Sequence, residues 1–323
     1  MAKIAINGFG RIGRAVFREI AKNYSDLEVV AINDLTDNET LLHLLKHDSI
    51  YGKYDGGIDA QMLSEKDPEK LPWEKLGVDI VLECTGYFRK LEDAQKHIKA
   101  GAKKVILSAP AKSEEIPGFV LGVNDKDLDI EKYDVMDMGS CTTNCLAPIA
   151  KVLNDNFKIK TGFMTTIHSY TNDQKLLDLP HEDLRRTRAA ALNIIPTSTG
   201  ATKAIGKIIP ELNGKLDGIA LRVPTPTVSV VDLVVEVEKS TTIDEVNNAF
   251  EKASKLKELN GILKVEKEPL VSTDYIGDSY CAIVDSALTD VHGTLIKVIG
   301  WYDNEHGYAS HLAQFANLVA SKL

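Results

Sequence analysis

The segment from Ser140 to Cys145, Ser-Cys-Thr-Thr-Asn-Cys, contains a thiol flanked by hydroxyl side chains. Apolar residues then recur at helical spacing from Leu146 to Phe157, and Pro148 is expected in the first turn. Cys141 is therefore predicted at a helix N-terminus, where free N–H groups and the helix dipole favour the thiolate and lower the thiol pKa. An average cysteine is more often a buried structural residue, but the polar neighbours favour Cys141 as a nucleophile. Cys145 is interpreted as a small core residue.

A cysteine nucleophile needs a base, and His168 is a candidate because it follows an apolar strand predicted over residues 161–167. Imidazolium would stabilise the thiolate, and neutral imidazole would accept a proton from a substrate hydroxyl. The residues alone do not bring Cys141 and His168 together. A structural histidine therefore stays open as the alternative at this point.

The first strand, predicted over residues 3–7, leads into a glycine-rich turn and a helical pattern. A second strand over residues 28–33 ends in Asp34, at the spacing typical of a dinucleotide-binding unit. In such a unit, glycines allow a tight turn, a close approach to pyrophosphate and close helix packing, while the acidic residue binds ribose hydroxyls. An ordinary turn between a strand and a helix is the alternative. The predicted cofactor residues here are Asn7, Gly8, Gly10, Arg11, Ile12, Gly13 and Asp34.

Strands and helices continue to alternate, with strands over 78–83 and 104–107 and a helix over 91–100. This alternation predicts an α/β, Rossmann-type doubly wound parallel sheet, whose ligands bind at the carboxyl ends of the strands. Thr85 and Ser108 follow two of these strands and are further cofactor candidates, although simple turn hydroxyls are an equal alternative.

The pattern changes after residue 156, because strand-like segments follow one another. They are predicted over residues 218–223, 228–238, 271–283 and 294–302, with a helix over 243–259 and a last helix over 305–323. Long strands in succession predict a second, α+β domain with a mostly antiparallel or mixed sheet.

Composition excludes several classes of protein. A chain of 323 residues with 44% hydrophobic residues is long enough for two domains. Its net charge of -9 argues against nucleic acid or an anionic membrane as the main partner. We find no pattern for a signal peptide or a membrane span, and four sparse cysteines indicate a reducing cytosol without a zinc site.

Several segments, in order along nearly the whole chain, resemble the phosphorylating glyceraldehyde-3-phosphate dehydrogenases. They are residues 6–14, 140–148, 168–174, 193–200, 222–226 and 301–305. The resemblance implies that NAD and inorganic phosphate convert D-glyceraldehyde 3-phosphate to 1,3-bisphosphoglycerate, through a thiohemiacetal and a thioester on the cysteine, in glycolysis or gluconeogenesis. It also implies a cytoplasmic homotetramer and a catalytic pair of Cys141 and His168.

The resemblance further implies roles for binding residues. Asn304 holds the nicotinamide with Tyr308 nearby, and Leu179-Pro180 of a neighbouring subunit crowds the adenosine ribose. The substrate phosphate lies on Thr171, Asp173 and Arg222, where Asp173 orients Arg222. Inorganic phosphate lies on Ser140, Thr142, Arg186, Thr199 and Gly200. The domains implied are an NAD-binding domain over 1–140, with the helix 305–323 packed back on it, and a catalytic domain over 141–304.

The chain departs from the family pattern at three places. A hairpin is compressed into residues 58–63, Asp137-Met138-Gly139 replaces the usual Ser-Asn-Ala, and His306 replaces a bulky apolar residue. We expect altered rates or stability rather than lost activity. Two other functions stay open: an erythrose-4-phosphate dehydrogenase, and a non-catalytic binding protein on the same scaffold.

Overall fold

The computed structural model describes residues 1–323, which fold as two compact units. The first comprises residues 1–119, 127–140 and 308–323, and the second comprises residues 120–126 and 141–307. The functional division into an NAD-binding and a catalytic domain stays a prediction.

The first unit contains a six-stranded, wholly parallel sheet, which confirms the predicted doubly wound fold. Its core strands are apolar and almost completely buried, as expected when helices cover both faces of a parallel sheet. In chain order the strands are Ala2–Asn7 (β1), Leu27–Asn33 (β2), Gln61–Leu63 (β3), Ile80–Glu83 (β4), Lys104–Leu107 (β5) and Val135–Asp137 (β6). Their order in the sheet is β3-β2-β1-β4-β5-β6.

Four helices connect these strands: Arg11–Asn23 (α1), Asn38–Lys46 (α2), the short Trp73–Leu76 (α3) and Leu91–Lys99 (α4). Helix α1 buries Val16, Phe17 and Ile20, the apolar stripe that its periodicity predicts. Helix α2 begins where the Asp37 side chain accepts a hydrogen bond from the Thr40 N–H, a typical N-cap.

The compressed segment after α2 still adds to the sheet. Strand β3 pairs in parallel with β2, so that Ala31 lies beside Gln61 and Asn33 beside Leu63. Before it, His47–Asp48 and Gly52–Lys53 form a two-residue antiparallel ladder. After the shortening, the parallel sheet therefore still ends in a short edge strand, β3.

The second unit contains an eight-stranded mixed sheet, which also agrees with the prediction. Its strands are Ile159–Ser169 (β7), Ile195–Ser198 (β8), Leu216–Val223 (β9), Ser229–Val237 (β10), Leu263–Glu266 (β11), Ala282–Asp285 (β12), Asp290–His292 (β13) and Leu295–Tyr302 (β14). Seven follow the order β8-β9-β7-β10-β14-β12-β11, and β13 pairs with β14. The β7–β9 and β11–β12 pairs are parallel, whereas the others are antiparallel.

The remaining helices are Cys141–Phe157 (α5), Ala201–Ile208 (α6), Ile243–Ala253 (α7) and His306–Ala320 (α8). Helix α5 starts at Cys141, so Pro148 lies inside the helix and not in its first turn, which corrects that expectation. A proline there removes one backbone hydrogen bond. Burial of Pro148 and most of its neighbours in the helix offsets this loss.

Two sequence predictions in the second unit are wrong. Helix α7 ends at Ala253, and only a short 3₁₀ turn, Lys257–Leu259, follows. The strand predicted over 271–283 exists only from Ala282, because Gly277 adopts a φ of 81°, which ends any extended strand. The apolar residues that suggested a strand pack instead as a cluster in which Tyr275 stacks on Trp301 at 5.4 Å.

Candidate active site

Cys141 and His168, distant in sequence, lie side by side. Cys141 is the first residue of α5, and its Sγ is 3.4 Å from His168 Nε2 near the end of β7. The thiol is half-buried and the imidazole is buried. The register of the parallel strands β7 and β9 places Arg222 directly beside His168. Strand pairing therefore brings the charge of an arginine to the cysteine–histidine pair.

One carbonyl orients the imidazole. His168 Nδ1 is 2.7 Å from the Ser169 carbonyl oxygen and 2.9 Å from Arg222 Nη1. Arg222 Nη1 also donates to the Ser169 carbonyl at 3.0 Å and to Thr171 Oγ1 at 3.1 Å. We assign the proton to Nδ1, because only a donor there can bond the Ser169 carbonyl; the contact of Nδ1 with Arg222 Nη1 is then between two donors and is not a hydrogen bond. The lone pair of Nε2 then faces Cys141 Sγ.

The environment keeps both members of the pair uncharged. Burial raises the pKa of the Cys141 thiol, and this effect outweighs the opposing charge of Arg222 and the Thr142 N–H at the helix start. Burial and the Arg222 charge lower the pKa of His168 to about 3. The expected effect of the helix terminus is present, because the Thr142 N–H lowers the thiol pKa, but desolvation is larger and the net pKa is raised. A thiolate at Cys141 requires transfer of its proton to His168.

Tyr302 is a site residue that the sequence analysis did not single out. Its hydroxyl is 2.9 Å from Thr142 Oγ1 and 2.9 Å from Thr166 Oγ1, and its ring meets His168 edge to face at 6.2 Å. A buried tyrosine hydroxyl needs hydrogen-bond partners, which was the available signal, since Tyr302 lies in the quoted segment 301–305. Thr142, predicted to bind phosphate, directs its hydroxyl toward Tyr302.

The residues predicted for the substrate phosphate meet an arginine from the other phosphate set. Asp173 accepts a hydrogen bond from Thr171 Oγ1 and forms an ion pair with Arg186, not with Arg222. Thr171 Oγ1 links the two residues, since it accepts a hydrogen bond from Arg222 Nη1 and donates one to Asp173, and the expectation that Asp173 orients Arg222 stays a prediction. Burial alone would raise the pKa of Asp173, but the Thr171 hydroxyl and the charges of Arg222 and Arg186 lower it.

The other predicted phosphate residues are less closely connected. Arg186 Nε donates to Thr197 Oγ1 at 3.0 Å. Thr199 Oγ1 accepts a hydrogen bond from the Ala201 N–H at 3.2 Å, and Gly200 immediately precedes α6. Ser140 lies directly before Cys141 in the chain.

The glycine-rich turn fits a dinucleotide. A Cβ atom on Gly8 would lie 2.7 Å from the Thr85 nitrogen, and one on Gly13 would lie 2.1 Å from the Gly8 carbonyl oxygen. Gly10, by contrast, faces open space directly before α1. A pyrophosphate can therefore approach the backbone and the helix N-terminus at Gly10.

A cavity of about 610 Å³ adjoins this turn. Its lining residues are Asn7, Gly8, Gly10, Asn33, Asp34, Leu35, Glu65, Lys66, Cys84, Thr85, Tyr87 and Phe88. The two oxygens of Asp34 accept the N–H groups of Phe9 at 2.8 Å and Thr36 at 2.9 Å. These bonds leave lone pairs for ribose hydroxyls.

Six predicted cofactor residues are not among those that line this cavity: Arg11, Ile12, Gly13, Ser108, Asn304 and Tyr308. Arg11 forms an ion pair with Asp48 and lies over the ring of Tyr51. Ile12 is half-buried in the first turn of α1. Ser108 donates its N–H to the Glu83 carbonyl, just beyond β5.

Asn304 is held by the residues around His168. The Ser229 hydroxyl donates to Asn304 Oδ1 at 2.9 Å and accepts the Ser169 N–H at 3.1 Å. Ser229 is thus a second residue that the sequence analysis missed, and a single serine in a predicted strand gives no signal for this role. It ties the amide of Asn304 to the chain beside the histidine.

Tyr308 explains one departure from the family pattern. Its hydroxyl donates to the Gly139 carbonyl at 3.0 Å, and Gly139 has a φ of 63°, which favours glycine. The Gly139 N–H in turn donates to Asp137 at 2.6 Å. The sequence Asp137-Met138-Gly139 therefore forms a turn, with Gly139 in the left-handed conformation, directly before Ser140 and Cys141.

No group of three or more His, Cys, Asp or Glu side chains is arranged to hold a metal ion. All four cysteines are free. None of the helices has the length and apolar character that crossing a membrane requires.

Comparison with known proteins shows one family throughout. The model described as "Glyceraldehyde 3-phosphate dehydrogenase, NAD binding domain" matches residues 2–91, and that of the C-terminal domain matches residues 140–304. The chain is 55% identical over 333 aligned positions to a glyceraldehyde-3-phosphate dehydrogenase of Geobacillus stearothermophilus, covering 99% of this chain and 98% of that protein. It is 54% identical to glyceraldehyde-3-phosphate dehydrogenase 1 of Bacillus subtilis (strain 168), with the same coverage. The chain belongs to the glyceraldehyde 3-phosphate dehydrogenase family.

Proposed function

We propose that this chain is an NAD-dependent phosphorylating dehydrogenase that oxidises D-glyceraldehyde 3-phosphate to 1,3-bisphosphoglycerate. The observation that carries the proposal is the 3.4 Å approach of Cys141 Sγ to His168 Nε2, beside the guanidinium of Arg222. A nucleophile with a base in hydrogen-bond reach is what covalent oxidation of an aldehyde requires.

His168 acts first as a base. Its Nε2 takes the Cys141 proton while the sulfur forms a bond to the aldehyde carbon, and the proton then passes to the new alkoxide, which gives a neutral thiohemiacetal. His168 again accepts this hydroxyl proton when the carbon is oxidised, which leaves a thioester on Cys141. NAD, when bound, supplies the acceptor for the hydride.

Inorganic phosphate completes the reaction. Its oxygen attacks the thioester carbon, the carbon–sulfur bond breaks, and the acyl phosphate leaves while the Cys141 thiolate takes the proton of His168 and the proton of the hydrogen phosphate is released to solvent. The cycle thus returns both groups to their uncharged resting forms, which the buried environment favours.

We assign Arg222 and Thr171 to the substrate phosphate, and Ser140, Thr142, Arg186, Thr199 and Gly200 to inorganic phosphate. Arg222 supports this role because its Nε is buried without a hydrogen-bond partner, a costly state that an acceptor ligand relieves. Asp173 accepts hydrogen bonds from both Thr171 and Arg186 and so joins the two sets. We assign it a positioning role between the two anions.

We place NAD in the cavity at the glycine turn, with its pyrophosphate at Gly10 and its adenosine ribose on Asp34. The open space at Gly10 and the free lone pairs of Asp34 support this placement. Asn7, Gly8 and Thr85 form part of the wall, Gly13 allows α1 to pack against the turn, and Asn304 holds the nicotinamide amide. Arg11, Ile12, Ser108 and Tyr308 complete the proposed cofactor set. The functional domains proposed are 1–140 with the last helix, and 141–304.

We further propose a cytoplasmic homotetramer. The segment from Leu176 to Ile194 exposes six large apolar side chains, an apolar surface that a second copy of the chain would cover. The six are Leu176, Leu177, Leu179, Leu184, Leu192 and Ile194. Four free thiols suit a reducing compartment.

The test is to follow reduced nicotinamide by absorbance with D-glyceraldehyde 3-phosphate and with erythrose 4-phosphate, each with and without inorganic phosphate. We expect a phosphate-dependent signal that is strongest with the three-carbon aldehyde. A stronger signal with erythrose 4-phosphate would assign the other dehydrogenase. No signal with either aldehyde would leave only the non-catalytic binding protein, which the close Cys141–His168 pair does not favour.

A further inference from the structure

A buried network of hydrogen-bonded polar side chains adjoins the cavity of the glycine turn, and it includes residues that no part of the proposed chemistry uses. It joins Trp73, His97 and Glu83, each almost completely buried. The indole Nε1 of Trp73 donates to His97 Nδ1 at 3.0 Å, and His97 Nε2 lies 3.1 Å from Glu83 Oε2. Since Nδ1 accepts the indole N–H, the proton of the neutral imidazole is on Nε2 and is donated to Glu83.

Every acceptor position of the Glu83 carboxylate is occupied. Oε1 accepts the Thr85 N–H at 2.8 Å and the Thr85 hydroxyl. Oε2 accepts the Asn7 side-chain amide at 2.5 Å as well as His97. A carboxylate has about four lone-pair sites, so this one is saturated by four donors. A buried network that is fully satisfied holds its members in one geometry.

Two of the three residues that Glu83 binds, Asn7 and Thr85, shape the cofactor turn. Asn7 immediately precedes Gly8, and its Oδ1 accepts the Asn33 amide at 2.7 Å. The Thr85 nitrogen is the atom that a Cβ on Gly8 would meet at 2.7 Å, so Thr85 is the wall against which the turn packs. A shift of either residue would move the backbone that the pyrophosphate approaches.

We propose that Glu83, His97 and Trp73 are positioning residues for NAD: they do not line the cavity, and they fix the glycine turn through Asn7 and Thr85. This inference rests on the proposed cofactor site. Trp73 fixes the tautomer of His97, His97 and the other donors fix Glu83, and Glu83 holds both sides of the turn. This network of Trp73, His97 and Glu83 therefore sets the affinity for the cofactor without contacting the cofactor.

The test is the Kd for NAD, measured by calorimetry without substrate, in wild type and in Glu83→Gln. The glutamine amide is nearly isosteric but places an N–H₂ group against donors, so the turn loses its fixed position. We expect Kd to rise on the order of 10-fold, the scale seen when outer partners of a site are lost. At saturating NAD, kcat should change much less than Kd.

Trp73→Phe provides a second variant that keeps an aromatic ring and removes only the indole donor. We expect a smaller rise of Kd in the same direction, and a ¹⁵N spectrum of His97 that shifts from the pure Nε2–H form toward a mixture of tautomers. Should Glu83→Gln fail to fold, this variant decides the question. Lys104→Met is the matched control, because Lys104 is also buried and bonded to Asp134 and Ile130, but at the opposite, amino end of β5. It should lower stability and leave Kd unchanged.

Asp34→Ala separates this inference from the cofactor site on which it rests. If Asp34→Ala weakens NAD binding while Glu83→Gln and Trp73→Phe both bind NAD as wild type does, the positioning role is wrong and the site stands. If Asp34→Ala binds NAD normally, the site itself is misplaced and the inference falls with it. If Lys104→Met weakened the binding of NAD as strongly as Glu83→Gln, the loss of affinity would be a general effect of lower stability. That outcome would also overturn the positioning role.

Discussion

The four thiols of this chain differ in burial and in partners, and that difference decides their reactivity. Burial, with the charge of Glu83, raises the pKa of Cys84 to about 12, and burial raises the pKa values of Cys145 and Cys281 well above the usual range. Burial also raises the pKa of Cys141, but only Cys141 has an imidazole nitrogen within 3.4 Å to take its proton. Reactivity is therefore a property of the pair.

A thiol alkylator should modify Cys141 before the other three cysteines and abolish activity in parallel. Replacing His168 with Asn removes the base, so alkylation should slow and kcat should fall by ~100-fold or more. Peptide mapping after partial inactivation, with rates for both proteins, is the measurement. Labelling mainly at Cys145 would identify a different nucleophile, and unchanged kinetics in His168→Asn would remove His168 from the mechanism.

Arg222 should help to set the pH at which the Cys141 thiolate forms. After burial, its charge is the largest influence on both groups, and it lowers the pKa of Cys141 and of His168 alike. In Arg222→Gln both pKa values rise, so the pH profile of Cys141 alkylation should shift to higher pH, and the KM for the sugar phosphate should increase.

The exposed Arg185 provides the control, because Arg185→Gln removes the same charge from a residue that does not contribute to the pKa shifts of Cys141 and His168. Its alkylation profile should match that of wild type. A profile of Arg222→Gln that moves to lower pH would contradict the sign of the effect, and a KM increase for inorganic phosphate alone would show that the two anion sites are exchanged.

At the scale of elements, the turn between β1 and α1 uses its glycines for different reasons. Gly13 allows the helix to pack against the turn, since a Cβ there would lie 2.1 Å from the Gly8 carbonyl oxygen. Gly10 has no neighbour within 4 Å of such a Cβ and keeps the space for a ligand. Packing and binding can therefore be separated by two alanine substitutions in one turn.

Gly13→Ala should lower the free energy of unfolding by about 1–3 kcal/mol, the usual cost of overpacking, and it should also weaken the binding of NAD. Gly10→Ala should leave stability nearly unchanged yet weaken NAD, because its methyl group occupies the approach to the helix N-terminus. Denaturant unfolding and calorimetric titration of both variants are the measurements. Equal stability of the two would mean that the turn relaxes around Gly13, and full NAD affinity in Gly10→Ala would place the pyrophosphate elsewhere.

The loop after β2 should set the choice between NAD and NADP. The Asp34 carboxylate can accept the ribose hydroxyls of NAD but repels the additional phosphate of NADP. Asp34→Ala should therefore weaken the binding of NAD and allow some use of NADP. The measurement is kcat/KM for both cofactors in wild type and in the variant. Wild type that uses both equally, or a variant whose preference does not move, would show that Asp34 does not select the cofactor.

At the scale of the whole molecule, the exposed apolar segment Leu176 to Ile194 should decide assembly. Leu184 is 80% exposed and Leu192 is 78% exposed, and they belong to a segment in which six large apolar side chains are exposed. Introducing a charge at such a contact opposes association, because the charge would be buried without a partner.

Leu184→Glu combined with Leu192→Glu should shift the proposed homotetramer to smaller species in analytical ultracentrifugation. Leu288→Glu is the matched control, since Leu288 is 51% exposed and outside this segment. Tetramers that persist in the double variant would show that assembly uses another surface. Dissociation caused by Leu288→Glu alone would also show that assembly uses another surface.

Sequence periodicity and steric requirements determined much of this protein. The apolar strand runs, the glycine turn and the C-terminal helix follow from local rules, and they predicted the two sheets and the candidate nucleophile. Local rules failed at residues 271–283, where apolar side chains form a turn-rich cluster around Tyr275, and at Pro148, which burial retains inside a helix. In both places, packing against distant residues outweighs local preference.

The environment of the site was decided only by tertiary structure. Strand register sets Arg222 beside His168, and Tyr302 meets Thr142 from 160 positions away in the chain. No local pattern encodes such a meeting. The sequence predicted an activated thiolate from the helix terminus, yet folding removes water from around the pair, and desolvation raises the thiol pKa more than the helix lowers it. Burial arises only when distant segments exclude water together, so it could not be deduced from the residues around Cys141 alone.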